Sequence, residues 1–189
     1  MNWGYPVDIV LGYLLGSIPV GLVVGYIWLR RDVRELGSGV TGTTNVFRNA
    51  GKAAGLIVMA ADIGKGVVPA LIGRFVFDDD GVAAAGAAAA VVGHVWPVFA
   101  GLRGGRGVAT AFGGVLGLMP LVALLFPVIA AVVLLVANRV SVMSIVTTAV
   151  SAGIIAVLAA MDVEPWAFAI YGLLAVAVVE FRHIPNMKR

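Results

Sequence analysis

Long apolar runs separated by short polar stretches dominate this chain, and the length of the runs predicts helices rather than strands. A helix needs about 20 apolar residues to cross the hydrocarbon core of a bilayer. Runs of that order occupy residues 7–29, 53–75, 82–100, 121–137, 142–160 and 166–181. A further run, residues 108–118, is short and meets Pro120 almost at once, which allows either a short tilted helix closing a tight hairpin with 121–137, the preferred reading, or a re-entrant segment. The alanine-rich stretch 83–90 offers small side chains for close helix packing in lipid and carries no chemistry of its own. The predicted fold is all-α: a polytopic integral-membrane bundle of seven transmembrane helices, one domain over residues 1–189.

Composition sharpens the reading. The chain is 61% hydrophobic and 12% charged, whereas ordinary globular domains are roughly 45–50% apolar and about 25% charged. The surplus apolar surface is expected to face lipid. Lysine and arginine then orient the bundle, because they collect in cytoplasmic loops. Arg30, Arg31, Arg34, Arg48 and Lys52 fall in the first loop, Arg103 and Arg106 in the third, Arg139 in the fifth, and Arg182, Lys188 and Arg189 in the tail. The intervening connections hold Asp78, Asp79, Asp80, Asp162 and Glu164, with Arg74 the one exception. The N-terminus is therefore expected outside and the C-terminus in the cytoplasm, in a cell inner membrane, with every motif-bearing loop at the cytoplasmic face. Residues 1–8 lack the positive start of a signal peptide, so the first span is expected to be retained.

Several function classes drop out. Cysteine is absent, which removes disulfides and thiolate chemistry. The net charge of +3 is accounted for by topology, and no soluble basic domain exists to bind nucleic acid. The cytoplasmic loops contain only Asp32 and Glu35 as carboxylates, upstream of the glycine-rich part, so neither a divalent-metal site nor any other cofactor is expected.

The polar chemistry falls into four places. In GSGVTGTTNVFRNAG, residues 37–51, hydroxyl and amide side chains (Ser38, Thr41, Thr43, Thr44, Asn45) and Arg48 alternate with glycines such as Gly37 and Gly39. Neutral donors, free backbone N–H groups and one guanidinium suit a phosphate, and an amphipathic interfacial segment capped by serine and threonine is the other reading. The stretch GHVWPVFAGLRGGRGVATAFG, residues 93–113, places Arg103 and Arg106 among Gly104, Gly105 and Gly107 and then opens a helix, a second arrangement suited to an anion. Asp62 and Lys65 lie three apart within a predicted span, on one helical face, and their simplest role is a mutual ion pair. Gly64, Gly66 and Pro69 weaken the helix there, so a break that turns Lys65 toward the polar loops is the other expectation. Two histidines remain: His94, and His183 beside Arg182 and Asn186 in FRHIPNMKR.

In this order the motifs resemble the bacterial PlsY family of integral-membrane glycerol-3-phosphate acyltransferases that use acyl phosphate. The likeness runs through LLGSIP (14–19), GSG and GTTNVFR (37–48), D-x-x-K-G (62–66), GH-x-x-PVF and GGRGVAT (93–110), Ser141 and Ser144 in RVSVMSI, and RH-x-x-N-x-x-R (182–189). Val40 departs from the family's usual asparagine, Arg103 and Arg106 from lysines, and Pro185 from the glutamate that commonly precedes Asn186. The resemblance implies transfer of an acyl chain from acyl phosphate to glycerol 3-phosphate, giving lysophosphatidic acid and phosphate, with membrane lipid around the protein and a soluble enzyme making the acyl phosphate. It implies Ser38, Arg48, His183 and Asn186 as catalytic. It implies phosphate binding at the glycine-rich loop of Arg103, Gly104, Gly105, Arg106 and Gly107 and at Ser144; the residues themselves add Gly37, Gly39, Thr44, Asn45, Lys65 and Arg182 as phosphate-binding candidates, with Asp62 and His94 as further ones. Two other readings compete: a small transporter or channel for phosphate-like anions, against which the short acidic outer connections argue, and a family member without activity.

Overall fold

Pro19 splits the first apolar run, which the sequence pattern alone reads as continuous. Helix α1 (Gly4–Ser17) ends at Ile18, whose backbone is extended at φ −62° and ψ 114°, and α2 (Val20–Leu29) resumes after the proline. A residue before proline is pushed out of the helical region, and proline lacks the N–H that a continuing helix would use. The computed structural model describes residues 2–187, with side chains as far as Ile184, and contains no strand among the described residues.

The remaining helices are α3 (Thr43–Ala50), α4 (Lys52–Phe75), α5 (Asp80–Val95), α6 (Val108–Leu118), α7 (Pro120–Ala123), α8 (Leu125–Ala137), α9 (Val140–Ala160) and α10 (Trp166–Met187). Six helical stretches among the described residues are long and apolar enough to cross a membrane, counting α1 with α2 as one. The short run became α6, 11 residues, which at 1.5 Å per residue is roughly 16 Å, about half the hydrocarbon thickness. Helix α4 passes through Gly64, Gly66 and Pro69 without interruption, so the break expected from those residues does not form.

The bundle inverts the ordinary distribution of side-chain size. Ala83, Ala87 and Ala90 of α5 are fully buried, while Leu135 and Val136 of α8 are 84% exposed, which assigns the large apolar groups to lipid and the small ones to helix contacts. Helices α1 and α5 meet backbone to backbone: a Cβ on Gly12 would collide with the carbonyl of Gly86. At the α4–α6 contact Gly113 abuts the carbonyl of Ile63 in the same way. The larger core joins α4, α5, α6, α9 and α10 around Phe168, Tyr171, Leu118 and Ile155. Within it the Tyr171 hydroxyl donates to the Ala111 carbonyl at 2.7 Å, so its polar end is paired.

Candidate active site

One buried amide shapes the first loop. Asn45, at the start of α3, donates through Nδ2 to the carbonyls of Val33 (2.8 Å) and Val40 (2.9 Å), and its Oδ1 accepts from the Ser38 N–H (3.0 Å) and from Asn49 Nδ2 (3.1 Å). Its donors and acceptor are thus taken up inside the protein, although it borders the cavity described below. It sets the path of residues 37–40, in which Gly37 (φ 53°) and Gly39 (φ 72°) take left-handed conformations open to glycine. Neither glycine borders the cavity; together with Asn45 they leave Ser38 facing it.

The second loop is anchored the same way, and here a correction is needed. The sequence suggests glycine N–H groups turned toward a ligand, but Gly104 donates to the Val95 carbonyl (3.2 Å) and Gly105 to the His94 carbonyl (3.1 Å). Gly105 is packed so closely on the His94 ring that a Cβ would overlap Nε2. From α10, Arg182 Nε donates to the Gly105 carbonyl at 3.3 Å. These bonds fix the loop ahead of Gly107, whose φ of 86° turns the chain into α6. Arg103 is exposed and away from the cavity, with its carbonyl 3.5 Å from Arg34 Nη1.

A cavity of about 420 Å³ lies between the two loops and runs down among α4, α6, α8 and α9. Ser38, Thr43, Thr44, Arg106 and Ser144 border its polar end, next to Gly107 and the first residues of α6. Met59, Ile63, Phe112, Phe126, Pro127, Ala130 and Met143 are among the apolar residues of its wall, in which Asp62 and His94 are also set. An anion at Arg106 would meet the unpaired N–H groups at the α6 N-terminus as well as the guanidinium. Burial lowers the affinity of Arg106 for its proton, and the charges of Arg182 and Arg48 lower it further. The residue stays cationic at any ordinary pH. Arg106 thus brings a half-buried positive charge to the cavity, and an anion there would offset both its burial and the repulsion from Arg182 and Arg48.

Beside the cavity sits a buried charge cluster. Lys65 Nζ donates to Asp62 Oδ1 at 2.8 Å, and His94 Nδ1 lies 3.4 Å from the same oxygen. Asp62 and His94 border the cavity; Lys65 stands behind them and is occupied by the carboxylate. His183 is also set back. Its ring is fully buried, Nδ1 donates to the Val179 carbonyl at 2.7 Å, and the ring does not border the cavity. Arg48 is exposed on α3, outside the cavity lining but close enough to act on Arg106. The side chain of Asn186, expected in the active-site tail, lies outside the described residues, as do Lys188 and Arg189.

Of the expected site residues, then, Ser38, Thr44, Asn45, Asp62, His94, Arg106, Gly107 and Ser144 converge on one cavity. Among the described residues no group of three His, Asp or Glu side chains converges as a metal site would need, and the donor set of hydroxyls and guanidiniums suits anions. Sequence reasoning missed Arg34, whose Nη1 donates to the Ala100 carbonyl at 2.8 Å and ties the first loop to the third. It also missed the apolar wall. Phe112 and Phe126 look like any other apolar residues in a span, and only their contact marks them.

The description "Glycerol-3-phosphate acyltransferase" belongs to the family model that matches residues 7–189. A glycerol-3-phosphate acyltransferase of Rubrobacter xylanophilus is 42% identical over 180 residues, 95% of this chain and 88% of its own length. Two crystal structures of PlsY, described as an integral membrane glycerol 3-phosphate acyltransferase, also match. The glycerol 3-phosphate form gives a TM-score of 0.89 at 35% identity, and the lysophosphatidic acid form 0.87 at 34%. Each alignment covers 98% of this chain and 90% of the other. With a family model over nearly its whole length and a fold and sequence shared with these proteins, the chain belongs to the PlsY family of glycerol-3-phosphate acyltransferases.

Proposed function

We propose that this acyltransferase takes its acyl chain from acyl phosphate and joins it to the 1-hydroxyl of sn-glycerol 3-phosphate, releasing inorganic phosphate and lysophosphatidic acid. The observation that carries the reading is the split character of the cavity: Ser38, Thr44, Arg106 and Ser144 at one end, and an apolar wall running into the bundle. A substrate with a phosphate head and a hydrocarbon tail matches both ends at once. Burial of the tail contributes about 0.8 kcal/mol per methylene.

The reaction needs two phosphates side by side, and their repulsion must be offset. Arg48, Arg106 and Arg182 supply fixed positive charge, and the α6 N-terminus supplies aligned N–H dipoles. The hydroxyl oxygen forms a bond to the acyl carbonyl carbon, the carbon–oxygen bond to phosphate breaks, and the hydroxyl proton passes to an oxygen of the departing phosphate. Phosphate is a good leaving group, so alignment and charge stabilisation carry most of the rate. His183 is set back from the cavity and is assigned no proton in this scheme. Ser38 hydrogen-bonds substrate without being acylated.

In this reading the chain makes seven crossings, with α6 as the short one, the N-terminus lies outside and the site faces the cytoplasm at the inner membrane. The distribution of arginine and lysine supports this orientation. So does the pairing of the two basic loops through Arg34 and Ala100, while Asn2 and Asp79 meet at the opposite end (2.8 Å). A soluble enzyme would supply the donor at that face.

Purified protein given acyl phosphate and glycerol 3-phosphate should release phosphate only when both are present. Ser38→Ala and Arg106→Ala should abolish release while the protein still folds. No release by the unaltered protein, or full activity in both variants, would overturn the reading.

A further inference from the structure

Phe126 belongs to two spaces at once. It closes the deep end of the large cavity, and it also lines a separate pocket of about 20 Å³ whose other walls include Thr148, Ile155 and Tyr171. Its ring meets Phe112 of α6 at a centroid distance of 4.9 Å and an interplanar angle of 43°. Phe112 and Phe126 are therefore braced against each other across the α6–α8 hairpin, and Phe126 is only 9% exposed.

Depth along the helices agrees. Helix α8 ends at Ala137 near the basic loops, and Phe126 lies 11 residues earlier, roughly 16 Å deeper at 1.5 Å per residue. Ser144, at the polar end, is four residues into α9, whereas Ile155, beyond Phe126, is fifteen residues in. The order from the basic loops inward is anion-binding residues, apolar cavity, Phe126, inner pocket.

We infer that Phe126, backed by Phe112, is the residue that measures the acyl chain: it stops a hydrocarbon tail at the floor of the cavity and bars it from the pocket beneath. This rests on the acyl-phosphate reading above, which supplies the tail. A tail that fits short of the ring is bound along Met59, Ile63 and Ala130. A longer one has to displace an aromatic ring braced by a second ring, in an interior that relaxes only partly. Removing the ring joins the two spaces and gives further methylenes somewhere to go. Enlarging it shortens the space.

The test is a donor profile. Purified unaltered protein, Phe126→Ala and Phe126→Trp are each assayed for phosphate release with octanoyl, decanoyl and lauroyl phosphate at saturating glycerol 3-phosphate. Phe126→Ala should raise kcat/KM for the longer donor relative to the shorter, by about tenfold for two further buried methylenes, and Phe126→Trp should move the preference the other way. A general packing defect lowers all donors alike, so the ratio reports on the wall rather than on stability. Should Phe126→Ala fail to fold, Phe126→Leu takes its place with a smaller shift in the same direction. If the unaltered protein turns over but the ratios stay fixed in every folded variant, the inference is wrong and the acyl-phosphate reading stands. If the unaltered protein turns over none of the donors, that reading itself has failed.

Discussion

The guanidinium of Arg34 donates to the main-chain carbonyl of Ala100 at 2.8 Å while its other nitrogens hold the Asp32 carboxylate, the closest at 2.7 Å. One side chain thereby sets the distance between the loop that carries Ser38 and the loop that carries Arg106. Replacing it with alanine should let the two move independently. The expected loss is roughly 1–2 kcal/mol of transition-state stabilisation, about tenfold in kcat/KM, with little change in the folded fraction. Steady-state kinetics beside a thermal melt would check this; unaltered kcat/KM would remove Arg34 from the site's support.

The same pair predicts a dependence on acidity. The Asp32 carboxyl is held below its ordinary 3.8, chiefly by the Arg34 side-chain hydrogen bonds, against an opposing effect of burial. A carboxyl with a lowered folded-state pKa stabilises the fold fully above its unfolded value, and that contribution fades as pH falls through the lowered one. The melting-temperature gap between the unaltered protein and Asp32→Asn should stay level from neutrality to about pH 5 and close below it. A gap that widened in acid would contradict the assignment.

The positive charge of Arg106 at the cavity, with Arg48 and Arg182 near enough to act on it, should make the protein respond to phosphate alone. Inorganic phosphate is expected to raise the melting temperature, by roughly 2.7 kcal/mol of added stability at a hundredfold excess over Kd, where chloride at equal ionic strength does not. Arg106→Gln should remove the response. An equal shift in that variant would place the anion elsewhere.

Asp62 and Lys65 are buried partners in the middle of α4. Asp62→Asn leaves an ammonium without its counter-charge and should cost about 3–5 kcal/mol. The double variant Asp62→Asn with Lys65→Met should recover much of that, since both charges are gone. Denaturant or thermal unfolding in detergent measures it, and strict additivity of the two changes would rule out their coupling.

Different parts of the molecule were legible to different degrees. The membrane bundle follows from run length, because nothing but lipid accommodates so much apolar surface. The Asp62–Lys65 pair follows from a spacing of three on a helix. The split at Pro19 was written in one residue, yet a window averaged over twenty hides it. The first loop was harder: its glycines and hydroxyls suggested a ligand cradle first and an amphipathic segment second, and half of it coils into α3 while Asn45 turns inward to hold the rest. Composition reports which groups can hydrogen-bond, not whether they bond to substrate or to their own backbone. Gly104 and Gly105 teach the same lesson. The apolar wall was invisible because depth within a span leaves no trace in residue type.

Arg74 stands at the end of the bundle that otherwise holds acidic residues, where a lone cation has no topological reason to be. Its Nη1 donates to the Leu118 carbonyl, the last of α6, at 2.8 Å. Gly117 packs against Val67 and Ala70, which brings the end of α6 to the last turns of α4, and there the guanidinium of Arg74 meets one of the carbonyls that a helix end leaves unpaired. Helix α6 thus carries a positive stopper at its far end and turns its opposite pole, with Gly107 and Arg106, toward the cavity.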